Sequence, residues 1–251
     1  MGKEQKSGLI VDAHCHLELY DDPDATVSLS MESGIGALIT SGWTLKSSKE
    51  CAGLTRLKGV YATVGLGPEG SVGDSGLIEE LERIAKTNKK VVGIGEIGLD
   101  TKALEKVSQA DQESLFMEQL DLAEKLRLPP VIHSRGMLSR IIEILDERKT
   151  EKAMFHFFGG NEEDAKKLER QGYLMSIPPL DSGRLKRVIS AVGIESLVAE
   201  TDAPLVGKLP SDAVKVVEKI AVIKGKGPEE VGLIITQTIK DYFGIIIGEG
   251  P

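Results

Sequence analysis

Short apolar runs, each followed by a longer amphipathic stretch, recur eight times along this chain. The runs fall at 9–14, 36–40, 59–64, 91–96, 130–133, 153–157, 173–177 and 197–202 and have the length of strands. The stretches at 24–33, 47–57, 76–87, 110–126, 137–148, 162–171, 182–192 and 211–223 carry helical spacing. A final helix is expected at 228–243, where Pro228 suits a first turn. Regular alternation of this kind predicts an α/β fold with a parallel sheet and right-handed crossovers. At 251 residues the chain has the usual size of a closed (β/α)8 TIM barrel. The expected layout is a short N-terminal arm, 1–8, then a single TIM-barrel domain, 9–251, with an extra C-terminal helix.

Active sites of such barrels lie at the C-terminal ends of the strands. The first strand ends in Asp12-Ala-His14-Cys-His16. Side chains two apart on a strand share a face, so both imidazoles can reach one ion while Cys15 points into packing. The fourth strand ends in Glu96, the fifth in His133, the sixth carries His156, and the eighth ends in Asp202. All four histidines of the chain thus fall at predicted strand ends, together with two carboxylates. Four imidazoles, a bridging carboxylate and a second carboxylate beside a water suit two divalent ions. Nitrogen and oxygen donors point to zinc, manganese or magnesium. Glu200 shares a strand face with Asp202, where a supporting and a purely structural role are both open.

Charge and cysteine usage narrow the function classes. A net charge of −8 argues against a protein coated by nucleic acid, while leaving room for an enzyme that grips a few phosphates locally. Cys15 and Cys51 alone make no disulfide framework, which fits a cytoplasmic location. No apolar run approaches the length of a membrane span, so no membrane partner is expected. Two stretches, 65–70 and 93–98, match G-x-G-x-x-G. Pro68 and Glu69 interrupt the first, and a polar loop rather than a helix follows the second, so no nicotinamide cofactor is expected.

Six segments, in order, resemble the TatD family of metal-dependent hydrolases. They are Asp12-Ala-His-Cys-His16, Gly95-Glu-Ile-Gly-Leu-Asp100, Gln112-x-x-x-Phe116, Pro130-Val-Ile-His-Ser-Arg135, Phe155-His-Phe-Phe-Gly-Gly160 and Glu200-Thr-Asp-Ala-Pro204. The resemblance implies a TIM-barrel enzyme of the amidohydrolase superfamily, typically a metal-dependent deoxyribonuclease. It places the ligands on His14, His16, Glu96, His133, His156 and Asp202, with Glu96 bridging two ions. The chain departs from the pattern where Gly67 replaces a histidine, Gly159 replaces a small polar residue and Thr238 replaces an asparagine. The usual Arg-Asn-x-Pro run is also replaced, by Gly207-Lys-Leu-Pro210.

The expected reaction is hydrolysis of a phosphodiester by a water activated between two ions. In it Glu96 and Asp202 are the catalytic carboxylates, with Asp202 as general base. Ser134 and Arg135 are the candidate substrate contacts, since a guanidinium fork matches phosphate oxygens. For Arg135, an ion pair with Glu96 or Asp100 is the competing reading. DNA is the expected substrate. The alternatives are a small-molecule amide, lactone or ester hydrolase of the same architecture, and a non-catalytic metal-binding protein.

Overall fold

The computed structural model describes residues 10–70 and 75–247. The expected arm, 1–8, lies outside the described residues. Eight parallel strands lie side by side in chain order: β1 (Ile10–Cys15), β2 (Ile35–Ser41), β3 (Val60–Val64), β4 (Val91–Gly98), β5 (Pro130–His133), β6 (Met154–Phe155), β7 (Leu174–Ile177) and β8 (Leu197–Ala199). The helices between them are α1 (Pro23–Glu32), α2 (Leu45–Leu54), α3 (Ser75–Thr87), α4 (Gln109–Leu126), α5 (Leu138–Arg148), α6 (Glu162–Arg170), α7 (Gly183–Ala191) and α8 (Ala213–Lys224). The extra helix, α9 (Pro228–Phe243), begins on its proline as expected. This is the (β/α)8 barrel. None of the described helices is long and apolar enough to cross a membrane.

Apolar burial and local caps drive the assembly. Val11, Leu38, Ile94, Ile132, Phe155 and Met175 are wholly buried, each contributing about 1.5–3 kcal/mol of transfer free energy. Ser108 starts α4 by accepting the Asp111 N–H, and Asn161 starts α6 by accepting those of Glu163 and Asp164. Helix α9 packs on the barrel at Ile10, which faces Gly232, and at Gly93, which faces Phe243.

The ladder is irregular where chemistry is expected. On β1, Asp12 pairs with Leu38 but Cys15 pairs with Thr40, so β1 carries one extra residue around His14. On β4, Ile94 pairs with Pro130 but Ile97 with Ile132, so an extra residue falls at Gly95–Glu96. Such bulges re-aim a side chain. The Glu96 N–H is satisfied across the barrel by the Gly42 carbonyl at 2.8 Å. Gly95 is required there, because a Cβ would lie 2.6 Å from that of Val131. The glycines of the second G-x-G-x-x-G match therefore serve close approach of β4 to β5.

Two strands are shorter than expected. β6 stops at Phe155 and β8 at Ala199, so His156, Glu200 and Asp202 lie just past the strand ends. The chain turns there through positive φ at Phe157 (48°) and Asp202 (50°). Past β8 the barrel closes on β1 through backbone bonds. The Asp202 N–H donates to the His14 carbonyl at 2.9 Å, and the His16 N–H to the Ala203 carbonyl at 2.8 Å.

Candidate metal centre and active-site cleft

Glu96 stands at the middle of the cluster formed by the strand ends. Its Oε1 lies 2.7 Å from His133 Nδ1 and 3.0 Å from His156 Nε2. Its Oε2 faces the other way, 3.6 Å from His14 Nε2. Asp202 Oδ1 lies 3.0 Å from His16 Nε2 and 3.8 Å from His14 Nε2. The fold thus brings all six predicted residues together, with Asp202 beside His14 and His16. His14, His16 and Glu96 form one set of converging donor atoms, Glu96, His133 and His156 a second, and His14, His156 and Glu200 a third.

Three of the imidazoles are hydrogen-bonded on their other side, and the fourth, His156, faces the Glu200 carboxylate there without a hydrogen bond. Ser41, at the end of β2, holds His14 of β1 and His16 just beyond it. Its carbonyl accepts the His16 Nδ1–H at 2.9 Å, and its hydroxyl sits 3.1 Å from His14 Nδ1. Thr63 donates to that same hydroxyl. Asp100 Oδ2 lies 2.9 Å from His133 Nε2. Glu200 is buried, accepts the Phe157 N–H and the Ser176 hydroxyl, and lies 3.6 Å from His156 Nδ1. Partners of this kind orient a ligand ring and raise its basicity.

The charges inside the cluster support one another. Burial works against ionisation of Glu96, yet His156, His133 and His14 hold its carboxyl well below the usual range. Burial would also lower His16, but the carboxylates of Asp202 and Glu18 outweigh it and raise that imidazole to about 10. His156 is likewise raised, against its burial, by Glu96 and Glu200. His14 is the exception: burial and the charge on His156 lower it. Its Nε2 is buried, faces the cluster and has no hydrogen-bond partner.

The cluster opens into a cleft of about 1420 Å³. Trp43 lies against His16, edge to face with ring centroids 4.7 Å apart. Ser134 and Arg135 line the same cleft. The Arg135 side chain is 56% exposed and approaches Asp100 only to 3.6 Å. Of the competing reading, the ion pair with Asp100 is present, at 3.6 Å, while none forms with Glu96 among the described residues. Half-exposed at the cleft wall, the paired guanidinium still presents nitrogens to a substrate.

The family profile described as TatD related DNase matches residues 11–244. The chain belongs to that family. It is a TatD-family metal-dependent hydrolase, as the six ordered segments led us to expect. Among its relatives is an uncharacterized metal-dependent hydrolase of Methanocaldococcus jannaschii, 31% identical, covering 93% of this chain and 96% of that one. Another is the human deoxyribonuclease TATDN3, 30% identical, covering 93% of this chain and 94% of that one. The crystal structure of a TatD homolog from Escherichia coli superposes with a TM-score of 0.85 at 22% identity, over 95% of this chain and 99% of that one, which shows the shared barrel.

Within this TatD barrel, three supporting residues escaped the sequence reading: Ser41, Asp100 and Asp12. Asp100 stood only as the end of a motif and a partner for Arg135. Its place two residues past a strand was the available signal. Asp12 was read as part of a motif without a role. Its carboxylate is fully buried and accepts from Thr201 and from the His14 N–H. Burial raises its pKa well above the ordinary value, with the Thr201 hydrogen bond pulling the other way.

Proposed function

We propose that this TatD-family hydrolase is a deoxyribonuclease that cleaves phosphodiester bonds with two divalent ions, zinc, manganese or magnesium. His14, His16, Glu96, His133, His156 and Asp202 would hold them. The observation that carries this reading is the orientation of Glu96, whose two oxygens face separate histidine groups. The residues fit a cation by their own chemistry. Leaving a buried polar atom without a partner costs about 1–3 kcal/mol, and His14 Nε2 is such an atom. His133 Nδ1 and His156 Nε2 also face each other across 3.3 Å beside a carboxylate oxygen. Bound ions would supply Lewis acidity to a phosphoryl oxygen and lower the pKa of the attacking water.

The chain's own residues do the rest. Asp202 keeps Oδ1 against His16 and accepts the proton of the attacking water as general base. Glu96, kept ionised by three imidazoles, offsets the positive charge at the centre of the cluster. Ser134 and Arg135 hold non-bridging phosphate oxygens at the cleft wall. The cleft, at about 1420 Å³, exceeds the roughly 300–1,000 Å³ that small-molecule sites occupy. Its size supports a polymer over a small amide, lactone or ester. The name of the human relative supports DNA as that polymer. Cys15 and Cys51 are both free and buried, which supports a reducing cytoplasm.

The test is hydrolysis of end-labelled single- and double-stranded DNA with magnesium, manganese or zinc added in turn, beside His133→Ala. Metal-dependent shortening of the label, lost in the variant, is the expected result. No cleavage by protein shown to carry two ions would reject the reading.

A further inference from the structure

We infer that Arg184 is a second phosphate-binding residue, one that makes this enzyme favour a polynucleotide over an isolated phosphodiester. The inference rests on the phosphodiesterase reading above. Three arginines line the cleft: Arg135, Arg140 and Arg184. Arg140 is already committed. Its Nε and Nη2 grip both oxygens of Glu113 at 2.9 and 2.8 Å, and its Nη1 reaches Glu143 at 3.2 Å. A fork used in this way has little left for a ligand.

Arg184 differs in that respect. It is exposed on the first turn of α7, and its guanidinium makes no hydrogen bond or ion pair with any described residue. Acidic groups on the neighbouring segments are engaged elsewhere, beginning with Asp181, which pairs with Lys186. Asp164 accepts the Asn161 N–H in the cap of α6, and Glu162 pairs with Arg187. Most other arginines of this acidic protein are neutralised: Arg56, Arg83, Arg148 and Arg187 all sit in ion pairs. Arg127 and Arg170 are unpaired too, but neither lines the cleft.

Position in the barrel gives Arg184 its role. Arg135 follows β5 and Arg184 follows β7, so the two flank the segment after β6 that carries His156, Gly159 and Gly160. Within it Gly159 is exposed and leaves open floor, since a Cβ there would meet nothing closer than the Phe157 carbonyl, at 3.9 Å, whereas Gly160 is packed under Phe158. A strand whose scissile phosphate lies at the metal ligands and Arg135 can pass over this floor. Its neighbouring phosphate then meets Arg184. An isolated phosphodiester has no second phosphate and gains nothing from that residue.

The experiment compares wild type, Arg184→Ala and Arg184→Lys on a labelled oligonucleotide and on bis(4-nitrophenyl) phosphate, across a salt series. The ratio of kcat/KM for the oligonucleotide to that for the small diester should fall roughly tenfold in Arg184→Ala, as for one lost charge-assisted hydrogen bond. The loss should sit in KM. The salt slope should flatten by about 0.7, the value for one phosphate contact on a single strand. Arg184→Lys should recover part of the ratio. An unchanged ratio, or equal losses on both substrates, overturns the role of Arg184 alone. Wild type that cleaves neither substrate overturns the phosphodiesterase reading and this inference with it. Arg184 is exposed, so an unchanged thermal midpoint serves as the check on folding.

Discussion

The Asp12 carboxylate grips Thr201 twice, taking its N–H at 3.0 Å and its hydroxyl at 2.5 Å. It thereby ties the start of the barrel to its end, one residue before Asp202. The His14 carbonyl beside this clasp accepts the N–H groups of Thr201 and Asp202, and the His16 N–H donates to Ala203. The seam that closes the barrel and the site that holds three of the candidate ligands are one structure.

Asp12→Ala should therefore cost both stability and activity. The Thr201 hydroxyl would be left buried without its acceptor, at about 1–3 kcal/mol, and the Thr201 N–H would keep only its longer bond to the His14 carbonyl, at 3.4 Å. The midpoint of urea unfolding should drop accordingly, and metal affinity should fall because Asp202 loses its support. Asp12→Asn keeps an acceptor and should lose less. An Asp12→Ala protein with the wild-type midpoint would show that the clasp carries no weight.

Asp202→Asn separates metal binding from catalysis. The amide oxygen can still face His16, while the group no longer takes a proton. Turnover should fall by about 10²–10⁴, the usual worth of a general base, with most of the bound metal retained. Elemental analysis beside a cleavage assay reads both quantities. Full activity in this variant contradicts the role given to Asp202.

Metal affinity should rise with pH. In the metal-free protein the carboxylates of Asp202 and Glu18 outweigh burial and hold the His16 proton up to a pKa of about 10. A raised imidazole stabilises the protonated, metal-free form. That contribution is complete below the ordinary pKa near 6.5 and is lost as pH climbs through the raised value. An ion must expel the same proton, so each proton displaced makes affinity grow about tenfold per pH unit in that window. Competition titrations at pH 6, 7 and 8, with proton release followed in weak buffer, measure this. Affinity that does not change with pH would count against protonated ligands in the free site.

Gly67→His tests a departure from the family pattern. A Cβ at Gly67 meets only Trp43, at 3.5 Å, which is ordinary contact. The position lines the cleft and has no left-handed backbone to strain. Gly67 is itself buried beside Trp43, but its Cβ direction opens on the cleft, so stability should fall only modestly, by about 1 kcal/mol. One added hydrogen bond to phosphate should raise kcat/KM on a labelled oligonucleotide roughly tenfold. Unchanged cleavage by a well-folded variant would place Gly67 outside the substrate path.

Much of the site was legible because its residues are short-range signals. A histidine or carboxylate ending an apolar run marks a strand end, and strand ends of a barrel face one side whatever the loops do. That reasoning reached His14, His16, Glu96, His133, His156 and Asp202 without coordinates. It extended β6 and β8 too far, because the turns at Phe157 and Asp202 are held by distant partners. The Phe157 N–H donates to Glu200 and Ser176, and the Asp202 N–H donates to the His14 carbonyl.

By itself, then, the sequence determined the barrel, the order of its strands and the family. Alternating apolar periods and strand-end chemistry are written within a few residues of each other. Only the tertiary structure decided how the six groups divide around Glu96, because bulges on β1 and β4 re-aim the side chains there. It also decided which arginines are free, since pairing of Arg140 with Glu113 depends on how α5 meets α4. Contacts such as Asp12 with Thr201, 189 residues apart, exist only once the chain has closed on itself. Local pattern does not encode which distant donor will arrive beside a buried acceptor.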